Sequence, residues 1–436
     1  MSEAPSLSAV AASGRYRLAN ATVPAILVDA LAGEGLLLAD IDIAEGRIAA
    51  VRPAGQAPDD IPAHNLARRM VLPGFVDVHT HLDKGHISPR RPNPDGTFMS
   101  ALLAVKGDRE ANWSVADVRR RMEFSLRCAY AHGTVAIRTH LDSLPPQEAI
   151  SWPLFAEIRE AWKDRIALQG VALLGIDQLL DLDVLTQVAR QVKSVGGLLG
   201  GAMAFHPRMD EAIRQALSVA AEYGLDVDLH LDETQEPQSG GLRLLADAVI
   251  ETGFRGQVTA GHCCALARQG SDEAKRTIKR VAEARINIVT LPMCNLYLQD
   301  RGDGRVTPRY RGVTLIRELL AAGVNVCAAS DNTRDPFYAY GDLDGLEVLR
   351  ETVRIGQLDH PLTDAPALVT RNPAGIMGVG SGKLTAGQTA DLVVLRGRDW
   401  GEVLSRPESG RVVLRAGRML DRTLPDYAEL DDLMGV

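Results

Sequence analysis

At 436 residues, with 46% apolar and 24% charged side chains, the chain has the make-up of a globular protein, long enough for one large barrel with an accessory domain. A formal charge of -8 leaves no basic footprint for nucleic acid or an anionic membrane. Five cysteines without close pairing make no disulfide framework, and neither a secretory leader nor an apolar run of membrane length is visible, so a soluble cytoplasmic protein is expected.

Residues 15–70 hold short alternating β runs at 25–28, 40–43 and 45–48, with turn signals between them. From residue 71, short β-rich runs alternate with amphipathic stretches. Strands are predicted at 71–79, 134–140, 166–174, 198–205, 226–230, 257–261, 286–291 and 324–330. Helices are predicted between them, among others at 116–131, 208–223, 272–284 and 314–322. Eight runs separated by helical patterns argue for parallel β/α units that close into a barrel. An open doubly wound sheet is the competing arrangement. Residues 383–424 return to short β runs, at 390–395 and 410–417. The expected organisation is a catalytic α/β barrel over 71–375, with the β-rich ends 1–70 and 376–436 pairing into one small sandwich.

The candidate chemistry sits where the barrel strands end. The first runs out in His79-Thr80-His81. Alternate residues of a strand share a face, so the two imidazoles can chelate one divalent ion. Alone, such a pair is most simply two surface histidines. Later strands change the weighing: 226–230 ends in His230, with Glu233 three residues on, 257–261 is followed by His262, and 324–330 by Asp331-Asn332. Each ending has its own plain alternative, an inert hydrogen-bonded histidine or, at 330–332, turn chemistry. A closed barrel brings all of these ends round one mouth. A histidine-rich set with one carboxylate suits zinc or ferrous iron and leaves a position open for water.

The runs PGFVDVHTHLDK (73–84), HLDET (230–234), TAGH (259–262), SDN (330–332) and GKLTAGQTADLVVL (382–395) resemble the amidohydrolase superfamily, and within it the cytosine deaminase branch. The similarity runs from about residue 20 to residue 420 and includes 295–299, 309–312 and 335–338. It implies a distorted TIM (β/α)8 barrel with a small β-sandwich made by both chain ends. It also implies one divalent metal ion, Zn2+ or Fe2+, held by His79, His81, His230 and Asp331. Binuclear members carry a lysine at the end of the fourth strand, and 198–205 has none. By the same resemblance Asp331 takes a proton from water, His262 orients that water, and Glu233 carries a proton to a ring nitrogen.

Two positions depart from the branch. Gly175 stands where cytosine deaminases carry a glutamine that reads the pyrimidine edge, and Asn332 stands where a second carboxylate follows the metal aspartate. Gln178 or Asp177 could substitute for the glutamine. Expected substrate contacts are Gln178, His206 and Asn332, with His206 equally readable as a helix cap. Asp83 and Lys84 either line the mouth or form a surface ion pair, His140 and Asp142 are expected to be structural, and Cys263 and Cys264 are read as core residues. The His-x-Glu and Pro-Cys-x-x-Cys signature of cytidine and tRNA deaminases is absent. The expectation is therefore a hydrolytic deaminase of a small amino-substituted nitrogen heterocycle, cytosine-like in class, with cytosine itself a poor substrate. The alternatives are hydrolysis of an N-substituted aminotriazine or cyclic amide at the same site, and a non-catalytic scaffold. A homo-oligomer is expected, with no nucleic-acid or membrane partner.

Overall fold

A computed structural model describes residues 6–58, 60–203, 205–301, 306–380, 382–407 and 410–435. Two compact units emerge. One gathers the described residues up to Val76 with Arg127–Ala136 and Asp344–Leu424; the other gathers Asp77–Leu126, Ile137–Leu343 and the described part of Pro425–Val436. No helix among the described residues is long and apolar enough to cross a membrane.

The first unit is the sandwich. One sheet has the order Arg47–Pro53, Leu36–Ala44, Arg15–Pro24, Ala63–Asn65; the other has Arg418–Met419, Val412–Arg415, Leu392–Val394, Val71–Pro73. Their inner faces share a core in which Leu18, Val23, Ile41 and Ile48 from one chain end meet Leu384, Leu392 and Leu414 from the other. Two predicted elements come out differently. The run 25–28 begins as a 3-10 turn, Ala25–Leu27, closed by the Val28 N–H donating to the Ala25 carbonyl. The predicted strand 71–79 is two strands, because Pro73 has no N–H to continue a ladder and Gly74 passes too close to its neighbours. A Cβ at Gly74 would lie 2.3 Å from Val135 Cγ1. Val71–Pro73 therefore pairs antiparallel with Leu392–Val394, and the barrel strand starts at Phe75.

A buried ion pair joins elements of this unit. Asp344 caps the helix Gly345–Gly356 through the Leu346 N–H and is held in a fork by Arg411. Burial alone would raise the Asp344 carboxyl, but the guanidinium outweighs burial and holds it well below the usual carboxylate range. The pair's stabilisation is thus present at neutral pH and is lost as pH falls through that depressed pKa. Asp344→Ala leaves the guanidinium buried without this carboxylate, and a loss of about 3–5 kcal/mol is expected in denaturant melts at pH 7. A loss below about 1 kcal/mol would mean that the pair is solvated like a surface one.

The second unit carries the barrel. The barrel strands are Phe75–Thr80 (in this unit from Asp77), Thr134–Asp142 (in this unit from Ile137), Ala167–Leu173, Leu199–Met203, Val227–Leu231, Val258–His262, Asn287–Thr290 and Val326–Ala328. The first three form one sheet and the other five a second, parallel one. Bridges Val171–Leu198 and Gly175–Ala202 join the sheets on one side, and Thr80–Asp331 joins them on the other. The ring of eight is closed, and the strands follow chain order around it. Within the ring a polar layer underlies the strand ends. Arg138 donates to Asp228 at 2.9 Å and to Gln169 at 3.0 Å, and Asp77 accepts from the Ser330 hydroxyl at 2.6 Å. The chain's last segment returns to this unit, where Tyr427 stacks on Phe124 and lies under the Arg334 guanidinium.

Candidate active site

Strand alternation points His79 and His230 into the barrel, and His81 follows one residue past the end of the first strand. His79 Nε2 is 3.1 Å from His230 Nε2, and His230 Nε2 is 3.2 Å from His81 Nε2. Asp331 Oδ1 lies 3.2 Å from His81 Nε2 and 3.6 Å from His79 Nε2. Ligands at about 2.0–2.1 Å from a tetrahedral ion sit about 3.4 Å apart along each edge, and these four distances straddle that value. Burial first, then neighbouring positive charge, pushes all three imidazoles far below their usual pKa. Three imidazoles held neutral bring their Nε2 atoms to one point, where a single proton could bridge only one pair. The donor set fits one divalent ion.

Two side chains reach this cluster by unusual backbone. In the sixth strand Gly261 faces inward, where a Cβ would meet His79 Cε1 at 2.8 Å, so His262 would alternate outward. A left-handed conformation at His262, φ 66°, returns its ring to within 5.0 Å of the His230 ring. Asp331, at φ 63°, is also left-handed and donates its N–H to the His79 carbonyl at 2.9 Å. Such strain costs about 1–3 kcal/mol per residue and collects at functional sites.

Glu233 follows the fifth strand. The preceding Asp232 is tied to the next helix, accepting from Ser239 Oγ and from the N–H groups of Gly241 and Leu242, and so anchors the loop. Glu233 Oε1 comes within 3.4 Å of His262 Nδ1. Burial, then the charge of Asp331, raises the Glu233 carboxyl well above its usual range. Burial also moves Asp331 up to about 7 and His262 down to about 3. Asn295 Nδ2 lies 3.0 Å from His262 Nδ1 and 3.5 Å from Glu233 Oε1. With that amide donating to Nδ1, the neutral ring carries its proton on Nε2, which has no hydrogen-bond partner among the described residues.

Nine predicted site positions therefore need sorting by place. His79, His81, His230, His262, Glu233 and Asp331 converge. Asn332 is buried beside them, but its amide donates to Asp335 Oδ2 at 2.7 Å and its oxygen faces Cys294. Gln178 stands on the short helix Ile176–Leu179, with Oε1 2.7 Å from where a Cβ on Gly175 would lie. His206 accepts the Arg208 N–H at Nδ1, at the start of the helix Met209–Tyr223. Cys263 and Cys264 are fully buried.

The surface ion pair considered for Asp83 and Lys84 is replaced by a buried network. Asp83 is 0% and Lys84 5% exposed, with Lys84 Nζ 3.6 Å from Asp142 and over the Phe337 ring. Burial opposes the lysine's charge, and Asp142, Asp83 and Asp335 outweigh it. His140 is completely buried against His79, with ring centroids 4.1 Å apart. Asn295 and Gln299 were given no role by sequence reasoning. Asn295 touches His262 and Glu233, and Gln299 donates to the Glu233 carbonyl at 3.4 Å.

The fold and this cluster define a class. A model of the amidohydrolase family matches residues 186–420, and the chain belongs to that family, a hydrolase acting on carbon–nitrogen bonds. It is 56% identical over 427 residues to a pterin deaminase of Rhizobium rhizogenes, covering 97% of this chain and 98% of that one. It is 27% identical to an N-isopropylammelide isopropyl amidohydrolase of a Pseudomonas species, over 82% of this chain and 87% of the relative. Among solved structures it is similar to 5-methylcytosine deaminase from Klebsiella pneumoniae liganded with 5-fluorocytosine. That match has a TM-score of 0.80 at 26% identity and covers 94% and 98% of the two chains, so it takes in the flanking β segments as well as the barrel.

Proposed function

We propose that this chain is a metal-dependent hydrolase that deaminates a pterin-like amino-substituted heterocycle. The substrate class is supported by the likeness to a pterin deaminase at 56% identity. The chemistry is carried by one observation, a Glu233 carboxyl buried beside His262 and driven toward its protonated form. His79, His81, His230 and Asp331 would hold one divalent ion, zinc or ferrous iron, which when bound supplies water that ionises at about pH 7.

The residues then divide the proton work. Glu233 gives its proton to the ring nitrogen beside the amine-bearing carbon, which makes that carbon electrophilic. The water oxygen bonds to the carbon as Asp331 takes a water proton, and His262 holds the oxygen through Nε2–H. Asp331 passes its proton to the amine of the tetrahedral carbon. The C–N bond breaks, ammonia leaves, and the remaining hydroxyl proton returns to Glu233 as the ring carbonyl forms. Both carboxyl groups end in their starting states. Hydrolysis of an N-substituted aminotriazine or cyclic amide has the N-isopropylammelide relative in its favour. Glu233 separates the two, because opening a cyclic amide does not require protonation of a ring nitrogen.

All five cysteines are buried outside any disulfide, which supports placement in the reducing cytoplasm. Ammonia release with metal-loaded protein over pterins, cytosine, purines and triazines tests the substrate class. Pterin is expected to exceed cytosine in kcat/KM by about 10²-fold or more, since a site lacking one buried polar partner loses orders of magnitude in specificity. Cytosine as the best substrate would return the assignment to pyrimidines.

A further inference from the structure

We propose that the wall formed by Gly175 and Ala202 is the seat of the substrate's second ring, and that its lack of side chains sets the preference for a two-ring heterocycle. This rests on the deaminase reading and deepens it. Strand register aligns the three residues concerned: Gly175 bridges Ala202, and Ala202 pairs with His230. Neighbours across a parallel sheet share a face and stand about 4.8 Å apart. His230 points inward to the cluster, so Ala202 and Gly175 point inward beside it, across a span of about 10 Å.

Burial agrees with that placement. Ala202 is the one exposed residue in its strand and the only exposed residue among the described residues of the eight barrel strands. The other described strand residues are buried or half-buried, so the wall is most open here. Its floor is backbone together with the Val171 methyl, 2.5 Å from where a Cβ on Gly200 would lie. At Gly200, two residues before Ala202 on the same face, a Cβ would meet the Asp228 carbonyl at 2.3 Å and the Ala172 carbonyl at 2.7 Å. At Gly175 the situation is different: among the described residues the atoms that a Cβ would approach belong to the Gln178 side chain, with Oε1 at 2.7 Å. The Gln178 carboxamide therefore occupies the place that a side chain at 175 would take, at the far side of the alcove from His230. An amide presents one acceptor and two donors, which matches the alternating ring nitrogens and carbonyls along the edge of a fused heterocycle. A one-ring substrate held at the cluster would leave this alcove and Gln178 unused.

Filling the alcove tests the proposal. Pterin is compared with isocytosine, the one-ring half of pterin that keeps the amine-bearing carbon and its flanking ring nitrogens. Their kcat/KM values are measured in wild type, Ala202→Gly, Ala202→Val and Ala202→Leu, with metal content as the control for an intact centre. Where isocytosine turns over too slowly, its inhibition constant against pterin replaces the rate. Ala202→Leu is expected to lower kcat/KM for pterin by about 10²-fold while isocytosine changes by less than about 3-fold, in keeping with about 10–200-fold per methylene in a fitted pocket. Ala202→Gly should keep the wild-type ratio. If Ala202→Leu fails to load metal, Ala202→Val decides by the same ratio, with a fall of about 10-fold expected. Parallel losses for both substrates, or an unchanged ratio, overturn the proposal. Wild-type protein that releases ammonia from neither compound instead overturns the deaminase reading, and the proposal falls with it.

Discussion

Glu233→Gln is expected to keep its metal and its affinity for a product analogue while kcat falls by roughly 10²–10⁴, with KM changed far less. The amide preserves shape and can hydrogen-bond, but it cannot give a proton and take one back. Its neighbours make it a clean substitution. Among the described residues Glu233 Oε1 meets the Asn295 amide and His262 Nδ1, and the loop is anchored by Asp232 through the next helix. Near wild-type turnover, or loss of metal, would remove Glu233 from the proton path and favour the amide-hydrolysis alternative.

Losing a ligand should do more. His230→Ala, and separately the double variant His79→Ala/His81→Ala, are expected to retain no metal and no measurable turnover. Wild-type protein is expected to carry one zinc or iron per chain. His230 Nε2 is the atom that lies within 3.2 Å of both other imidazole nitrogens, so its removal opens the centre of the set. Elemental analysis by plasma mass spectrometry gives the answer directly. Two ions per chain, or a double variant that keeps its metal, would contradict the four-ligand arrangement.

The barrel was legible because β-rich runs alternate with helical patterns, and the site because the strands that carry it run out in His or Asp, the boundary where a barrel places its chemistry. His79, His81, His230 and Asp331 could therefore be named before their distances were known. Other features left no such trace. The break at Gly74 depends on the approach of Val135, 61 residues away in the chain. The inward turn of His262 depends on a left-handed backbone that an ordinary non-glycine residue does not announce. Asn295 comes from the helix after the seventh strand and carries no charge, so only its position against His262 reveals it. Lys84 reads as a surface lysine until Asp142 and Phe337 close round it. Substrate contacts were the least legible part, because Gln178 reaches the space beside Gly175 through a helical turn whose geometry spacing alone does not specify.

The central claim is that water replaces an amine on a heterocyclic ring carbon. Turnover of pterin in 18O-labelled water by metal-loaded protein, followed by mass spectrometry of the product and assay of ammonia, tests it most directly. Hydrolytic deamination predicts one labelled oxygen at the former amine carbon and ammonia released mole for mole, with both signals abolished in His230→Ala. A product that carries label without ammonia release, or ammonia release without label in the ring, would contradict it.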